Sequence, residues 1–566
     1  MNTMRHLIAE TIIVLIALCS LSEAETLTVG QDGCDFYRIE AALGAANPGD
    51  VIEVHSGEYT VNLNITTPSV VLRGNDTGDG KPVLRAGSST AEIEQEVSDT
   101  TYMTVSSGGT AISIRADFVT VEGFVITGVT WPKPYGTGEH NDLIGNAGIR
   151  VYSDFNKIAN NTFEGNDLTG IGLWNCSNNQ ILGNIIRDIQ WGYGIQLYNS
   201  HYNNIERNIL LHNNWGIEAQ RSDSNTLKEN EIRESVNDGI RSVKCNYTMI
   251  TENIISGNGN ESEYEGNGKG IYLQGSMGLV ADNVISFNRD AGIFIESIFW
   301  EYCSKPPCGA EESYDNLIIN NRIQGNGRDG IRLYKTWKNQ IWNNNITSNH
   351  GNGISFVFSN NNTAEMNNIT RSDDGIYLDQ SNYTNVSNNT ITQMEMIGIG
   401  ILSTVGASAN NNTLADNTVG MALDESSSYN VLSRNKIVNS TEGINISGLS
   451  SENSVVENAV RTCETGINLL GAVRNSITRN EITDNLIGLV ADITSRGNAI
   501  YENNLSGNKE FARDNGDNRW DDGSRGNFYG YGDCEDADKD GICDATLLIP
   551  GSVNEDRYPL ASLVIP

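Results

Sequence analysis

The feature that most constrains this chain is a short unit that keeps returning. Gly194-Ile195-Gln196-Leu197 followed by Asn203-Asn204-Ile205-Glu206-Arg207-Asn208 is one copy. Its glycine recurs at Gly148, Gly170, Gly194, Gly216, Gly239, Gly270, Gly292, Gly330, Gly353, Gly375, Gly398, Gly420, Gly443, Gly466 and Gly488, mostly in steps of about 22–24 residues. Such a period marks a solenoid and overrides the several-domain prior that the length alone would give. Each repeat offers about three short strands between polar turns, with no helical period. That pattern predicts an all-β chain folded as a single-stranded parallel β-helix, one coil per repeat, each strand pairing with its equivalents above and below.

Within a coil, the Ile and Leu of Gly-Ile-x-Leu point inward and the residue between them points out. The recurring asparagine is expected at an inward-facing turn, where amides about 4.8 Å apart form a hydrogen-bonded ladder. The glycine is expected to permit corner backbone angles that side chains resist.

Residues 1–24 read as a signal peptide: Arg5 and His6, an apolar run from Thr11 to Leu18, then Ser22-Glu23-Ala24 as a small-x-small cleavage pattern. No later stretch is long and apolar enough to span a bilayer, so the expected location is outside the cell or on its surface. Residues 25–128 form an N-terminal cap and first irregular coils. They include a short helix around Phe36–Ala46 with Ile39, Ala42, Leu43 and Ala46 at helical spacing, closed by Asn47-Pro48-Gly49-Asp50. Regular coils fill 129–510, with insertions at 129–145, 257–268 and 297–314, and residues 511–566 form a C-terminal cap. The formal net charge of -34 argues against nucleic acid and anionic membranes as partners. About sixteen Asn-x-Ser/Thr sequons suit an extracellular glycoprotein.

Cys303 with Cys308, and Cys534 with Cys543, are candidate local disulfides in an exported chain. Cys176 and Cys245 share a place in the repeat but lie three coils apart, roughly 14 Å at the strand spacing, too far to bond; they read as small buried fillers. Asp536-x-Asp538-x-Asp540-Gly541 with Asp544 supplies alternating carboxylates around a turn, the hard-oxygen chemistry of a structural Ca²⁺ site. The twelfth position is Leu547 rather than Glu, which rules out a full EF-hand. Histidines His55, His140, His201, His212 and His350 never pair at short spacing, so the sequence offers no copper cluster.

The opening residues Ile39, Ala42, Pro48-Gly49-Asp50 and Gly57-x-Tyr59, the segment Ala116–Phe124 and the Gly-Ile-x-Leu/Asn coils resemble NosD-like proteins of the carbohydrate-binding and sugar-hydrolase (CASH) class of right-handed β-helices. The closing Trp520-Asp521-x-Gly523-x-x-Gly526-Asn527-Phe528 and Asp556-Arg557-Tyr558-Pro559-Leu560 are similar to the C-terminal signature of secreted archaeal members. The resemblance implies a right-handed helix and leaves the chemistry open, since the family mixes surface proteins, lyases, epimerases and a copper-insertion accessory protein.

Counting forward from each glycine locates the outward residues. The front half carries Trp174, Tyr198, Glu218, Arg241, Tyr272, Phe294, Glu296, Arg332, Tyr334, Tyr377 and Asp379; the rear half, from Gly398 on, carries small or bland residues such as Gly400, Ala422 and Asn445. Aromatic platforms beside carboxylates, amides and arginines suit sugar rings, which need an apolar face to stack on and partners for hydroxyls. The expected partner is therefore a polysaccharide or envelope glycan. The alternatives are a purely structural or adhesive surface glycoprotein, in which Glu218/Arg241 and Glu296/Arg332 are salt bridges between coils, and a polysaccharide lyase, hydrolase or epimerase. Catalytic signatures are missing: Glu218 and Glu296 stand about 14 Å apart by the strand spacing, beyond the separation of paired glycosidase carboxylates. Asp374 reads as a turn residue beside Gly375.

Overall fold

The computed structural model of the chain describes residues 24–95, 101–130, 146–259, 267–297, 312–530 and 534–563. Residues 1–23 of the expected signal peptide 1–24, most of the three insertions and the Cys303/Cys308 pair lie outside the described residues. The fold is an all-β right-handed parallel β-helix of about 19 coils, divided into two units, residues 1–185 and 186–566.

In the second unit each coil contributes one strand to each of three parallel sheets. One coil runs from Trp215–Gln220 through Thr226–Lys228 to Glu231–Arg233 before returning at Ile240–Val243. The next coil stacks in register: Ile217 on Ile240, Leu227 on Ile250 and Ile232 on Ile255. These alternate residues are buried and form the core. At about 1.5–3 kcal/mol for each buried aliphatic side chain, columns of Ile, Leu and Val supply the main driving force.

The asparagine ladder is continuous. From Asn208 through Asn230, Asn253, Asn283 and Asn321 to Asn503 and Asn527, each side-chain amide donates to the carboxamide oxygen one coil on. The same oxygen takes the backbone N–H of the preceding asparagine, as Asn344 Oδ1 does from Asn321 at 2.9 Å. A buried amide that uses every donor and acceptor carries no desolvation penalty.

The glycine expectation is overturned. The repeat glycines of the second unit do not adopt positive φ; the left-handed corners belong to the residue just before each ladder asparagine, such as Glu229, Glu252, Asp282 and Asn343. The glycines are needed for space. A Cβ on Gly330 would sit 2.6 Å from Ile346 Cγ2 and 2.7 Å from the carbonyl oxygen of Gly353. The strand backbone packs there directly on the next coil and on a core methyl, so any side chain collides.

In the first unit Thr26–Val29 pairs with Val51–His55, which pairs with Val71–Asn75. The helix is shorter than the spacing suggests, Ile39–Ala45, and buries Ile39 and Ala42 against these strands. Strands Thr120–Glu122 and Val125–Thr127 are separated at Gly123 with φ +86. An antiparallel hairpin, Ser88–Gln95 with Thr101–Gly108, interrupts the coil and was not anticipated.

In the C-terminal segment Cys534–Cys543 is a disulfide, as expected. Asp556 is fully buried and accepts from the Asn527 amide at 2.7 Å and the Tyr529 hydroxyl at 2.9 Å. Burial pushes its carboxyl up to about 6, against those hydrogen bonds. A carboxyl raised on folding favours the folded state most below its ordinary range, and that contribution is lost as pH rises through 6. Hydrogen exchange of residues 534–563 should therefore show tighter closure at pH 4 than at pH 7.5, by up to about 3 kcal/mol, and Asp556→Asn should flatten the difference.

Candidate functional site

Strand pairing in the second unit aligns the outward residues of the sheet that holds Trp215–Gln220, called the third sheet below, into two rows. In the first, Gln196, Glu218, Arg241, Tyr272, Phe294, Arg332, Ser355 and Tyr377 occupy successive coils. In the second, Tyr198, Gln220, Val243 and Gln274 follow one another, as do Glu296, Tyr334, Val357 and Asp379. Trp174 belongs to the first unit, where the Arg150 guanidinium lies 4.1 Å from its ring centre.

The rows are not uniformly open. Glu218 is 8% and Tyr272 6% exposed. Arg241 ties this closed part together: its Nε lies 3.7 Å from Glu218 Oε1 and its Nη1 4.0 Å from Asp238 Oδ2. Its guanidinium sits 5.3 Å from the Trp215 ring centre and 5.0 Å from that of Tyr272. Burial raises the Glu218 carboxyl above its ordinary range, against the pull of Arg241, Tyr193 and Gln196. The Tyr272 hydroxyl donates to Glu296. Of the two expected inter-coil salt bridges, Glu218–Arg241 forms, while Glu296 takes Tyr272 in place of Arg332.

One coil further on, Lys269 Nζ lies 3.4 Å from Asp290 Oδ2 and Arg328 Nε 3.6 Å from Asp290 Oδ1. Most cations here thus face carboxylates of the same chain. Arg332 lies near the Asp329 carboxyl, which it pulls down against burial, and stacks over Phe294 at 5.7 Å, and its buried Nε has no hydrogen-bond partner among the described residues. Phe294, Arg332, Tyr334 and Tyr377 are half-buried, and Tyr334 meets Phe358 edge-on at 5.9 Å. A cavity of about 320 Å³ lies at the C-terminal ends of neighbouring strands, lined by Lys244, Asn246, Gln274, Ser276, Glu312 and Tyr314.

Counting forward from the glycine missed the residue immediately before it, where Tyr193, Trp215, Asp238, Lys269, Asp329 and Asp374 stand. Three of these aspartates brace the next coil. Asp238 Oδ1 accepts the Lys269 amide at 2.8 Å, Asp329 Oδ1 that of Asn352 at 2.8 Å and Asp374 Oδ1 that of Ile397 at 2.8 Å. Burial raises all three carboxyls.

In the C-terminal segment the carboxylates of Asp536, Asp538 and Asp540 lie within 4.8 Å of one another. Asp544, expected as a fourth ligand, stands outside this group and accepts the Ala537 amide at 3.1 Å.

Over residues 104–268 and 393–533 the sequence matches the family described as periplasmic copper-binding protein (NosD), and residues 308–437 match the right-handed β-helix region. The chain belongs to the NosD family. No curated protein matches it. Similar solved structures include a double mutant of the periplasmic alginate epimerase AlgG, 14% identical over 53% of this chain and 77% of that one, TM-score 0.42. A mannuronic acid specific family 6 polysaccharide lyase from human gut microbiota is 14% identical over 61% and 87%, TM-score 0.40. The Dettilon tailspike protein is 14% identical over 70% and 61%, TM-score 0.32.

The copper in the NosD description needs soft donors gathered at one point. Among the described residues Cys34 and His55 approach each other, but His201 Nδ1 takes the Asp223 amide at 3.0 Å and His212 pairs with Glu234. Cys176, Cys245 and Cys463 are separately buried thiols, with Cys245 pushed up to about 11 by burial. The one three-ligand group among the described residues is all carboxylate. The described donor set does not fit copper.

Proposed function

We propose that this protein is an exported β-helix that binds polysaccharide along the front half of its third sheet. The observation that carries the reading is the contrast along one row. Successive coils present Tyr272, Phe294, Arg332, Ser355 and Tyr377, and then Gly400, Ala422, Asn445 and Asn468. A scaffold alone gives no reason for that asymmetry. The accessible part is Phe294, Arg332, Tyr334 and Tyr377, with Glu296 and Asp379 beside them, while Glu218, Arg241 and Tyr272 form the packed floor. Sugar rings stack on the aromatic faces, and the carboxylates of Glu296 and Asp379 accept from sugar hydroxyls. The family's periplasmic description supports export.

Affinity electrophoresis against a panel of neutral and uronate polysaccharides tests the reading. Tyr334→Ala and Tyr377→Ala should each weaken retention about tenfold, with Ala422→Ser in the rear half as a neutral control. Unchanged retention in both tyrosine variants would remove the assignment and leave a structural or adhesive role. Unsaturated or newly reducing products would instead establish a lyase or hydrolase.

We further propose that Asp536, Asp538 and Asp540 hold a structural Ca²⁺, supported by three clustered hard-oxygen donors in a loop closed by the Cys534–Cys543 disulfide. At a hundredfold excess over the dissociation constant the ion would add about 2.7 kcal/mol. A chelator should then lower the melting temperature of the native chain and leave Asp538→Asn/Asp540→Asn unaffected; equal melting with and without chelator counts against it.

A further inference from the structure

In the first unit a nucleophile, a base and an orienting carboxylate meet that sequence spacing kept apart. Strand Val51–His55 buries Ile52 and Val54, which turns Glu53 and His55 together onto its outer face. The preceding loop folds back over them, with the Phe36 amide donating to Thr28 O at 2.9 Å and Asp35 accepting the Thr28 amide at 2.9 Å. This brings Cys34 Sγ to 3.3 Å from His55 Nδ1. On the other side of the ring, His55 Nε2 lies 3.5 Å from Glu53 Oε1, and that oxygen also takes Asn75 Nδ2 at 2.9 Å. Asn75 is the strand partner of His55, and the Tyr59 hydroxyl donates to the His55 carbonyl at 2.9 Å, so the base is braced from two neighbours.

Gly30 makes room for the thiol. A Cβ there would stand 2.8 Å from Cys34 Sγ and 3.4 Å from His55 Cβ. The site is also reachable: Cys34 is partly exposed and the His55 side chain 31% exposed, whereas Cys176, Cys245 and Cys463 are buried. The titratable groups around the thiol are His55 and Glu53 from one strand and Tyr59 from the next, whose hydroxyl is raised by burial and then by Cys34.

We propose that Cys34 is a reactive nucleophile, with His55 as its base and Glu53 as the group that orients the imidazole, and that it exchanges with small-molecule disulfides. A thiol hydrogen-bonded to a base that a third group holds in place is the arrangement that activates cysteine. Exchange asks for little beyond that activation and an open approach to sulfur. The thiol proton passes to His55 Nδ1 and Sγ attacks one sulfur of the disulfide. The Cys34 mixed disulfide forms as the original S–S bond breaks, and the departing thiolate takes the electron pair and then the proton from His55. One disulfide is consumed and one is made, so no further oxidant enters.

The full chain treated with oxidised glutathione at neutral pH, followed by intact-mass and peptide mapping, tests this. The adduct is expected at Cys34 and absent from Cys34→Ser. Its rate should fall at least about tenfold in His55→Asn, and by less in Glu53→Gln. The dependence of iodoacetamide alkylation on pH should be flatter in the native chain than in His55→Asn, a difference that a merely structural histidine would not produce. Gly30→Ala keeps every reacting group yet should slow the reaction by displacing the thiol, which covers the case in which His55→Asn fails to fold. Equal rates in native, His55→Asn and Gly30→Ala chains, no adduct at all, or an adduct on Cys176, Cys245 or Cys463 instead would each overturn the proposal.

Discussion

Asn344→Ala is expected to destabilise the second unit by about 2–4 kcal/mol, since a buried N–H left unpaired costs about 1–3 kcal/mol and each further hydrogen bond lost about 0.5–1.5 kcal/mol. Asn344 Oδ1 accepts the backbone and side-chain amides of Asn321 at 2.9 and 3.0 Å, and its Nδ2 donates to Ile318 O and Asn367 Oδ1, each at 3.0 Å. Alanine leaves the Asn321 backbone N–H without its partner and removes one bond each from Asn321 Nδ2, which keeps Val280 O and Ile319 O, and from Asn367 Oδ1, which keeps the residue-344 amide; no water replaces them, because the position is 1% exposed. Neighbouring Asn343 is the control. Its side chain is exposed at the left-handed corner and donates to Asn320 Oδ1 at 2.8 Å, and its backbone amide keeps Glu365 O in either variant, so Asn343→Ala should cost less. Urea unfolding of the two variants side by side reads the difference, and equal losses would mean that the ladder is ornamental.

The second large effect is expected at a glycine. Gly330→Ala should cost about 2–3 kcal/mol, because overpacking a filled interior forces backbone to move. The obstructing atoms are a carbonyl oxygen and a core methyl, neither of which can swing aside. Gly172, at the outward position of its strand, would place a Cβ no nearer than 3.8 Å to anything. Gly172→Ala should therefore be neutral, or stabilising by about 0.5–1 kcal/mol through the unfolded state. Thermal melts of both variants decide between space and backbone angle as the reason for the repeat glycine, and a tolerated Gly330→Ala would reject the packing account.

The coils were legible because Ile and Leu at fixed offsets from a glycine can satisfy only one inside and one outside. That same arithmetic placed Arg241 against Tyr272 and Phe294 against Arg332, as the strand register bears out. The floor of the site was not legible. Asp238 and Lys269 precede their glycines, in a slot that elsewhere holds Ala291 or Ile397, so no repeating residue type announces them. Nor can alternation tell an open outward position from one covered by its neighbours, which is why Tyr272 read as a contact residue. The Ser88–Gln95 hairpin does carry a signal, the alternation of Ala91-Glu92-Ile93-Glu94, but it breaks the repeat and so fell between coils. Cys34 and His55 meet through a folded-back loop whose closure no local pattern encodes.

The ladder has a consequence for how such a chain can change over time. Most ladder bonds join residues 22 or 23 apart, yet Asn253 to Asn283 spans 30 and Asn283 to Asn321 spans 38, with side-chain distances of 3.0 and 2.9 Å. The extra residues enter beside the third sheet, and the asparagines close over the gap as if nothing had been added. One addition falls before Ile271–Gln274 and the other after Ile293–Glu296, so loops can be acquired, lengthened or lost at either edge of that sheet while the stack keeps its pitch, and loops and scaffold are free to evolve at different speeds.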